Sequence, residues 1–376
     1  MTKINLLHTE WSGGWGGQEI RILAESKEFL KRGYGVTIAA QPDSKLMHNA
    51  KNNNIPTMSL TMGKGFNIIA IIKLAMFIRK NKIHIVHTHS AVDSRTAGIA
   101  AKLVGAKVVR SRHISIPVSN SYLTWLQYMK LADRLITSGE SIRRNLITEN
   151  RMLPDRIVSI PAGVNETLFS SDQAVKSIRQ EFNIGHKDFV LGMVSVLRSW
   201  KGHEFVIKAM PKLIKKIPNI QLIIVGDGPI KDQITQLIAD LSLEKYIILA
   251  GHQQDTVPFY KAMDVVLLPS YAGEATSQTL PQAMLMNIPV ISTNIGSLSE
   301  VVIHNETGLV VPIKDSEAIY ESVKRIYTDI GLKDSLVKKA KQHALKNFTF
   351  DKMINNTQSV YLDLLKSKRY SVPLDV

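Results

Sequence analysis

The sequence predicts an α/β fold of two Rossmann-like domains in tandem, each a doubly wound parallel sheet flanked by helices. Three observations carry this. Short apolar β-type runs alternate with segments of helical period along nearly the whole chain, and such alternation means βαβ units and parallel strands. The rhythm breaks once, at "RIVSIPAGVNETLF" (156–169), a stretch of turn or hinge composition. Finally, 376 residues exceed what one hydrophobic core usually organises.

In the first half the strand-like runs are "KINLLHT" (3–9), "GVTIAA" (35–40), "IPTMSL" (55–60), "IHIVHTH" (83–89), "KVVRSRH" (107–113) and "DRLITSG" (133–139). Between the first two lies "GGQEIRILAESKEFLKRG" (16–33), where Ile20, Leu23, Ala24, Phe29 and Leu30 form a helical stripe. It ends with Lys31, Arg32 and Gly33, the expected stop signal. After the break the strand-like runs are "FVLGMVSV" (189–196), "IQLIIVGDG" (220–228), "YIILAGH" (246–252), "DVVLLPS" (264–270), "IPVISTN" (288–294) and "GLVVP" (308–312). Amphipathic segments 315–328 and 333–347 follow, then "DKMINNTQSVYLDLLKSK" (351–368). The expected domains are therefore 1–165 and 166–348, with a closing helix in 349–376 that reaches back to the first domain.

Composition narrows the chemistry. Apolar residues make up 44% and charged residues 21%, ordinary values for a chain that buries a core. There is no cysteine, which excludes disulfides, thiolate metal sites and a cysteine nucleophile. The start "MTKINLLHTEW" lacks the long apolar region of a secretory signal and reads as a first strand. The most apolar later segment, "FNIIAIIKLAMFI" (66–78), contains Lys73 and is too short to span a bilayer. A cytoplasmic protein is expected, soluble or held peripherally on the inner face of the membrane.

The net charge of +15 is uneven: residues 1–165 hold 23 Lys and Arg against 10 Asp and Glu, and the remainder holds 24 against 22. The first half should therefore face something anionic, with an acidic membrane and nucleic acid as the two classes to separate. No nucleic-acid module is recognisable, so no nucleic-acid partner is expected. A steep salt dependence of DNA or RNA binding would be the mark of the other class.

Paired Rossmann-like domains bind ligands beyond the carboxyl ends of their strands, in a shared cleft. Four loops at such ends stand out. "WSGGWGGQE" (11–19) places Gly16 and Gly17 before a helix, where backbone can approach an anion. "LRSWKGHE" (197–204) offers Arg198 as a fork and Lys201 as a point charge for a phosphate or diphosphate. "VGDGP" (225–229) is a tight turn in which Gly226 and Gly228 serve backbone geometry. In "AGEATSQTLPQAMLMNIPVI" (272–291), Glu274 stands alone among small residues. Pro281 suits the first turn of a following helix and Ser277 or Thr279 its cap, so that N–H groups near Thr279 and Leu280 would attract an anion.

These residues resemble the GT-B glycosyltransferases of family 4, over nearly the whole chain. The resemblance rests on Gly16-Gly17, His113 in "SRHIS", Arg198-x-x-Lys201-Gly202, "VGDGP", the Glu-x7-Glu region beginning at Glu274, and the closing "NFTFDKMINNTQSVYLDLL". It implies a two-domain GT-B fold and transfer of a sugar from a nucleotide-diphosphate sugar to a hydroxyl, with retention at the anomeric carbon. It further implies that Arg198 and Lys201 bind the donor diphosphate and that Glu274 holds donor-sugar hydroxyls. Thr279 and Leu280 would lie around the phosphates, Gln282 at the ribose, and Gly251 and His252 beside the base. Gly16 and Gly17 would close over the diphosphate and His113 would sit near the reacting centre. The family requires no metal cofactor, and the chain has no D-x-D. It departs from the pattern at Gln282, which stands where the second acid of Glu-x7-Glu is expected; an amide accepts through one oxygen and donates through nitrogen, where a carboxylate only accepts.

Two further features need placing. His84, His87 and His89 look like metal ligands, but no acid or cysteine cluster accompanies them; they are expected to be strand-end histidines. Tyr122, Trp125, Leu126 and Met129 recur at helical spacing, a core pattern that, with "KGFNIIAIIKLAMFIRKNK" (64–82), also fits an interfacial patch against lipid. The expected acceptor is a lipopolysaccharide core or another cell-surface or lipid-linked glycan. The alternatives are a nucleotide-sugar epimerase or hydrolase on the same fold, which would release an epimer or free sugar without acceptor, a sugar-nucleotide-binding subunit without activity, and the nucleic-acid-binding protein.

Overall fold

The structure is a computed structural model that describes residues 3–63, 65–170 and 177–366. The chain divides into two compact units: residues 1–161 together with those from 353 onward, and residues 162–352.

The first unit holds a seven-stranded sheet of β1 (Asn5–Glu10), β2 (Gly35–Ala40), β3 (Thr57–Ser59), β4 (Ile85–Thr88), β5 (Lys107–Arg112), β6 (Arg134–Thr137) and β7 (Ile157–Ser159). Their order is β3-β2-β1-β4-β5-β6-β7, parallel throughout. The order reverses between β1 and β4, where a doubly wound sheet opens a crevice at its carboxyl edge. Leu6, Leu7, Ile38, Ile85, Val86, Val108 and Val109 are buried, as strands covered on both faces require. β7 lies inside the segment read from sequence as a hinge. Three residues are too few to display a period, so that strand had no sequence signal.

The C-terminal helix Phe350–Lys366 buries Met353, Ile354, Thr357, Tyr361 and Leu364. Arg32 donates to Asn355 Oδ1 at 2.7 Å and Gln358 Oε1 at 2.6 Å, tying this helix to the end of helix Gly17–Lys31. Tyr361 Oη meets His87 Nδ1 at 2.6 Å beneath the first sheet's central strands.

The second unit holds β8 (Phe189–Val194), β9 (Ile220–Val225), β10 (Ile247–Gly251), β11 (Val265–Leu268), β12 (Val290–Ser292) and β13 (Leu309–Val310), in the order β10-β9-β8-β11-β12-β13 and again parallel. Alternate residues of β11 enter opposite cores: Val266 and Leu268 pack on one face, Val265 and Leu267 on the other. The two-residue side-chain period of a strand, met by helices on both sides, explains the unbroken apolar run. Here the order reverses between β8 and β11, and the loops leaving those two strands carry Arg198 and Glu274. The "VGDGP" turn supports the first of them. Gly226 has φ +145°, and a Cβ there would lie 1.9 Å from Ser195 O, while Leu197 N donates to Asp227 O at 3.0 Å.

Candidate active site

In the second unit Glu274 is buried at 5% exposure. Its Oε1 accepts from Lys201 Nζ at 2.6 Å and from Ser270 Oγ at 2.7 Å. The carboxylate is buried and Lys201 is half-buried, and this ion pair ties the β8 loop to the β11 loop. The backbone does the same, since Tyr271 N donates to Trp200 O at 2.9 Å. Gly296, at φ +60°, passes so close that a Cβ would lie 2.0 Å from Glu274 O. Arg198 is exposed, with its guanidinium 5.0 Å above the Trp200 ring and no acidic partner among the described residues. The arrangement is thus one fixed acid, one cation bound to it and one uncommitted cation, all at the switch point of the sheet. A diphosphate suits the cations, and neutral hydroxyls suit the acid.

The surrounding positions are tied into the same frame. Helix Thr279–Leu285 starts beside β8, where Thr279 Oγ1 donates to Val194 O at 2.8 Å, and Ser277 Oγ accepts from Thr279 N at 3.3 Å. Leu280 is fully buried, so its side chain serves the core and only its backbone can serve a ligand. Gln282 Oε1 accepts from Tyr260 Oη at 2.9 Å, which leaves its amide nitrogen as the uncommitted polar group. Burial pushes the Tyr260 hydroxyl well above its ordinary pKa, so it remains a donor. Gly251 ends β10 at φ +68°, and His252 beyond it is exposed.

In the first unit the carboxyl ends of β1, β4 and β5 gather a second polar group. Gly16 precedes helix Gly17–Lys31, and its N–H donates to Glu19 Oε2 at 2.8 Å. Glu10 accepts from Ser12 N at 2.7 Å and also from Gln18 Nε2, so it shapes the glycine loop from below. Burial, then the neighbouring Asp93 charge, push the Glu10 carboxyl up to about 8. Asp93 accepts from Thr9 Oγ1 at 2.7 Å, His89 N at 2.9 Å and Ser90 N at 2.7 Å, and burial raises its pKa too. His113 has both ring nitrogens engaged: Nε2 with His89 Nδ1 at 3.0 Å and Nδ1 with Ser138 Oγ at 3.2 Å.

The predicted histidine trio separates. His84 accepts from Asn5 N at 3.0 Å at the entry of the sheet. The group that converges is His8, His87 and His89, whose nitrogens lie within 4.8 Å of one another. His8 escaped the sequence reading because it lies some eighty residues away and meets His87 only through the β1–β4 register. Glu10, Asp93 and Tyr361 escaped for the same reason. One shared signal was available: His8, His89 and His113 each sit within two residues of a strand's carboxyl end.

Residues 174–343 match the family "Glycosyl transferases group 1" and residues 15–168 match "Glycosyltransferase Family 4". Among solved structures, a glycosyltransferase from Rickettsia africae ESF-5 superposes with a TM-score of 0.89 at 23% identity, covering 97% of this chain and 100% of that one. Anabaena Alr3699/HepE in complex with UDP superposes at 0.82 with 20% identity, covering 96% and 100%. A UDP-Gal:alpha-D-GlcNAc-diphosphoundecaprenol alpha-1,3-galactosyltransferase of Escherichia coli is 25% identical over 327 residues, 84% of each chain. The chain belongs to the GT-B glycosyltransferases, with a family 4 first half and a group 1 second half, and it is a glycosyltransferase enzyme.

Proposed function

We propose that this glycosyltransferase is a retaining enzyme that moves a sugar from a uridine-diphosphate-type donor to a hydroxyl of a lipid-linked or cell-surface glycan, such as a lipopolysaccharide core. The observation that carries the donor half is the Lys201–Glu274 pair, its carboxylate buried, beside the uncommitted Arg198. In the reaction the acceptor oxygen bonds to the anomeric carbon as the bond from that carbon to the diphosphate oxygen breaks. Arg198 and Lys201 neutralise the charge that develops on the leaving diphosphate, without need of a metal. Glu274 holds sugar hydroxyls, the N–H groups of Thr279 and Leu280 face phosphate oxygens, Gln282 meets the ribose, and Gly251 and His252 border the base. The same reading gives Gly16 and Gly17 a role at the diphosphate and His113 a role near the reacting centre.

Thermal shifts with UDP and with uridine test this. UDP at a hundred times its Kd stabilises a protein by about 2.7 kcal/mol. Arg198→Ala and Lys201→Ala should each lose most of the UDP shift while keeping the smaller uridine shift. Equal loss of both would remove the diphosphate assignment.

The acceptor half rests on the first unit's surface. Helix Ile68–Lys80 exposes Ile68, Ile69, Ile72 and Met76, and Phe66 precedes it at 69% exposure. Of the stripe read from sequence Met129 is buried, with Tyr128 beside it, whereas Tyr122 is 72% exposed and its neighbour Leu123 77%. Between these elements lies a groove of about 690 Å³, walled by Phe66, Ile99, Leu123 and Leu131, with Arg95 and Lys130 among its lining. No helix among the described residues is long and apolar enough to cross a membrane. The reading is peripheral attachment to the anionic inner face of the cytoplasmic membrane, apolar side chains entering the interface and cations meeting headgroups. Flotation should show binding to vesicles containing anionic lipid and much less to neutral ones, and Leu123→Lys with Ile69→Lys should abolish it. No binding to either vesicle would sink the membrane reading.

A further inference from the structure

Three histidines from three strand ends form a flat file. His8 Nδ1 lies 3.0 Å from His89 Nε2, and His89 Nδ1 lies 3.0 Å from His113 Nε2. In each adjoining pair the ring planes differ by 18° and the centroids are 5.3 Å apart. That separation is one N···N hydrogen bond plus two ring radii, so the rings lie edge to edge and not face to face. The file continues to Ser138 Oγ. His87 packs on its flank, 4.3 Å from the His89 centroid, and is pinned by Tyr361 Oη and by Ser111 Oγ at 2.8 Å.

A neutral imidazole has one N–H and one lone pair. Two such rings joined edge to edge must point their N–H bonds in the same direction, so the three tautomers are set together. Adding a proton to His89, the middle ring, places two N–H groups nose to nose at one joint and breaks the file. The surroundings hold it neutral: His8 and His89 are buried, and the Arg21 guanidinium faces them. Glu25, the acid on that side, is bonded to Arg21 at 2.7 Å, and Asp93 accepts from the His89 backbone N–H. Tyr361, from the C-terminal helix, stays a neutral phenol because burial raises it.

We propose that His8 and His89 are positioning residues for His113, which through this file hold its ring in one orientation and one neutral tautomer. The proposal rests on the reading that His113 acts at the reacting centre. Glycosyl transfer develops positive charge at the anomeric carbon and ring oxygen, and an imidazolium there would oppose it. A lone, solvated histidine is half protonated near pH 6.5; the file removes that liability, consistent with the depression of all three rings by burial.

The test uses full-length enzyme carrying ¹⁵N-labelled histidine, in wild type, His89→Leu and His89→Gln. Ring nitrogen shifts of His113 should show one unchanging neutral tautomer across mildly acid pH in wild type. In His89→Leu they should show mixed tautomers and a titration moving up towards 6.5. Gln, which can accept at one end and donate at the other, should restore part of the order. Turnover should follow: in His89→Leu the acid limb of kcat moves up by a pH unit or more, while donor KM stays within about twofold. A His113 that keeps one tautomer and does not titrate in His89→Leu overturns the proposal alone. A released tautomer with kcat unchanged at every pH overturns the role of His113 in the reaction, and the positioning role with it. If His89→Leu does not fold, Ser138→Ala is measured the same way from the other end of the file.

Discussion

Glu274→Ala is expected to lower turnover at least tenfold, and by more than a hundredfold if two sugar hydroxyls depend on the carboxylate, with uridine binding unchanged. A hydrogen bond to a charged group is worth about 1.5–3 kcal/mol, and each 1.36 kcal/mol is tenfold in rate. The side chain also neutralises Lys201 at 2.6 Å. Its loss frees that cation to bind UDP more tightly in the ground state, so the variant should show an unchanged or larger UDP thermal shift beside its slower turnover. Glu274→Gln keeps the shape and one acceptor, and should fall between. If kcat/KM for the preferred donor stays within a few-fold of wild type in Glu274→Ala, the donor-sugar role is wrong.

That prediction starts from a residue visible in sequence. Glu274 could be found because an acid among small residues after an apolar strand is locally unusual, and Arg198 and Lys201 because they stand at the matching place three strands earlier in the chain. Both sheets could be found because strands buried on two faces are continuous apolar runs. What could not be found were interactions that depend on register. The pairing of Lys201 with Glu274 joins residues 73 positions apart, and the hydrogen bond that occupies Gln282 Oε1 comes from a tyrosine 22 positions before it. Gly296 carries no local signal at all; its need for glycine arises from the Glu274 carbonyl against it. The histidine file depends on β1, β4 and β5 lying side by side, which local pattern does not specify.

The same file sets how the first unit should respond to pH. His8 is pushed down to about 4 by burial, and His87, His89 and His113 are held well below the ordinary value, also by burial first. Their unfolded forms titrate near 6.5. Below that value the unfolded chain takes up protons that the folded unit refuses, so the stability these groups contribute is complete above pH 6.5 and is lost as pH falls towards 4. For His8 alone the shift corresponds to ~3 kcal/mol. Glu10 has the opposite sign. Its carboxyl is raised from 4.5 to about 8, so the fold favours the protonated form, and that contribution is present below 4.5 and lost as pH rises to about 8. Urea midpoints measured from pH 4 to 9 should therefore peak near pH 7 and fall on both sides. Glu10→Gln should flatten the alkaline side only, because it removes the charge that the buried site resists. His8→Asn should flatten the acid side, at the cost of a lower midpoint at neutral pH from the broken joint with His89. A midpoint that keeps rising as wild type is acidified below pH 5 would show that the four histidines are not neutral inside the folded unit, and the hydrogen-bonded file would fall with them.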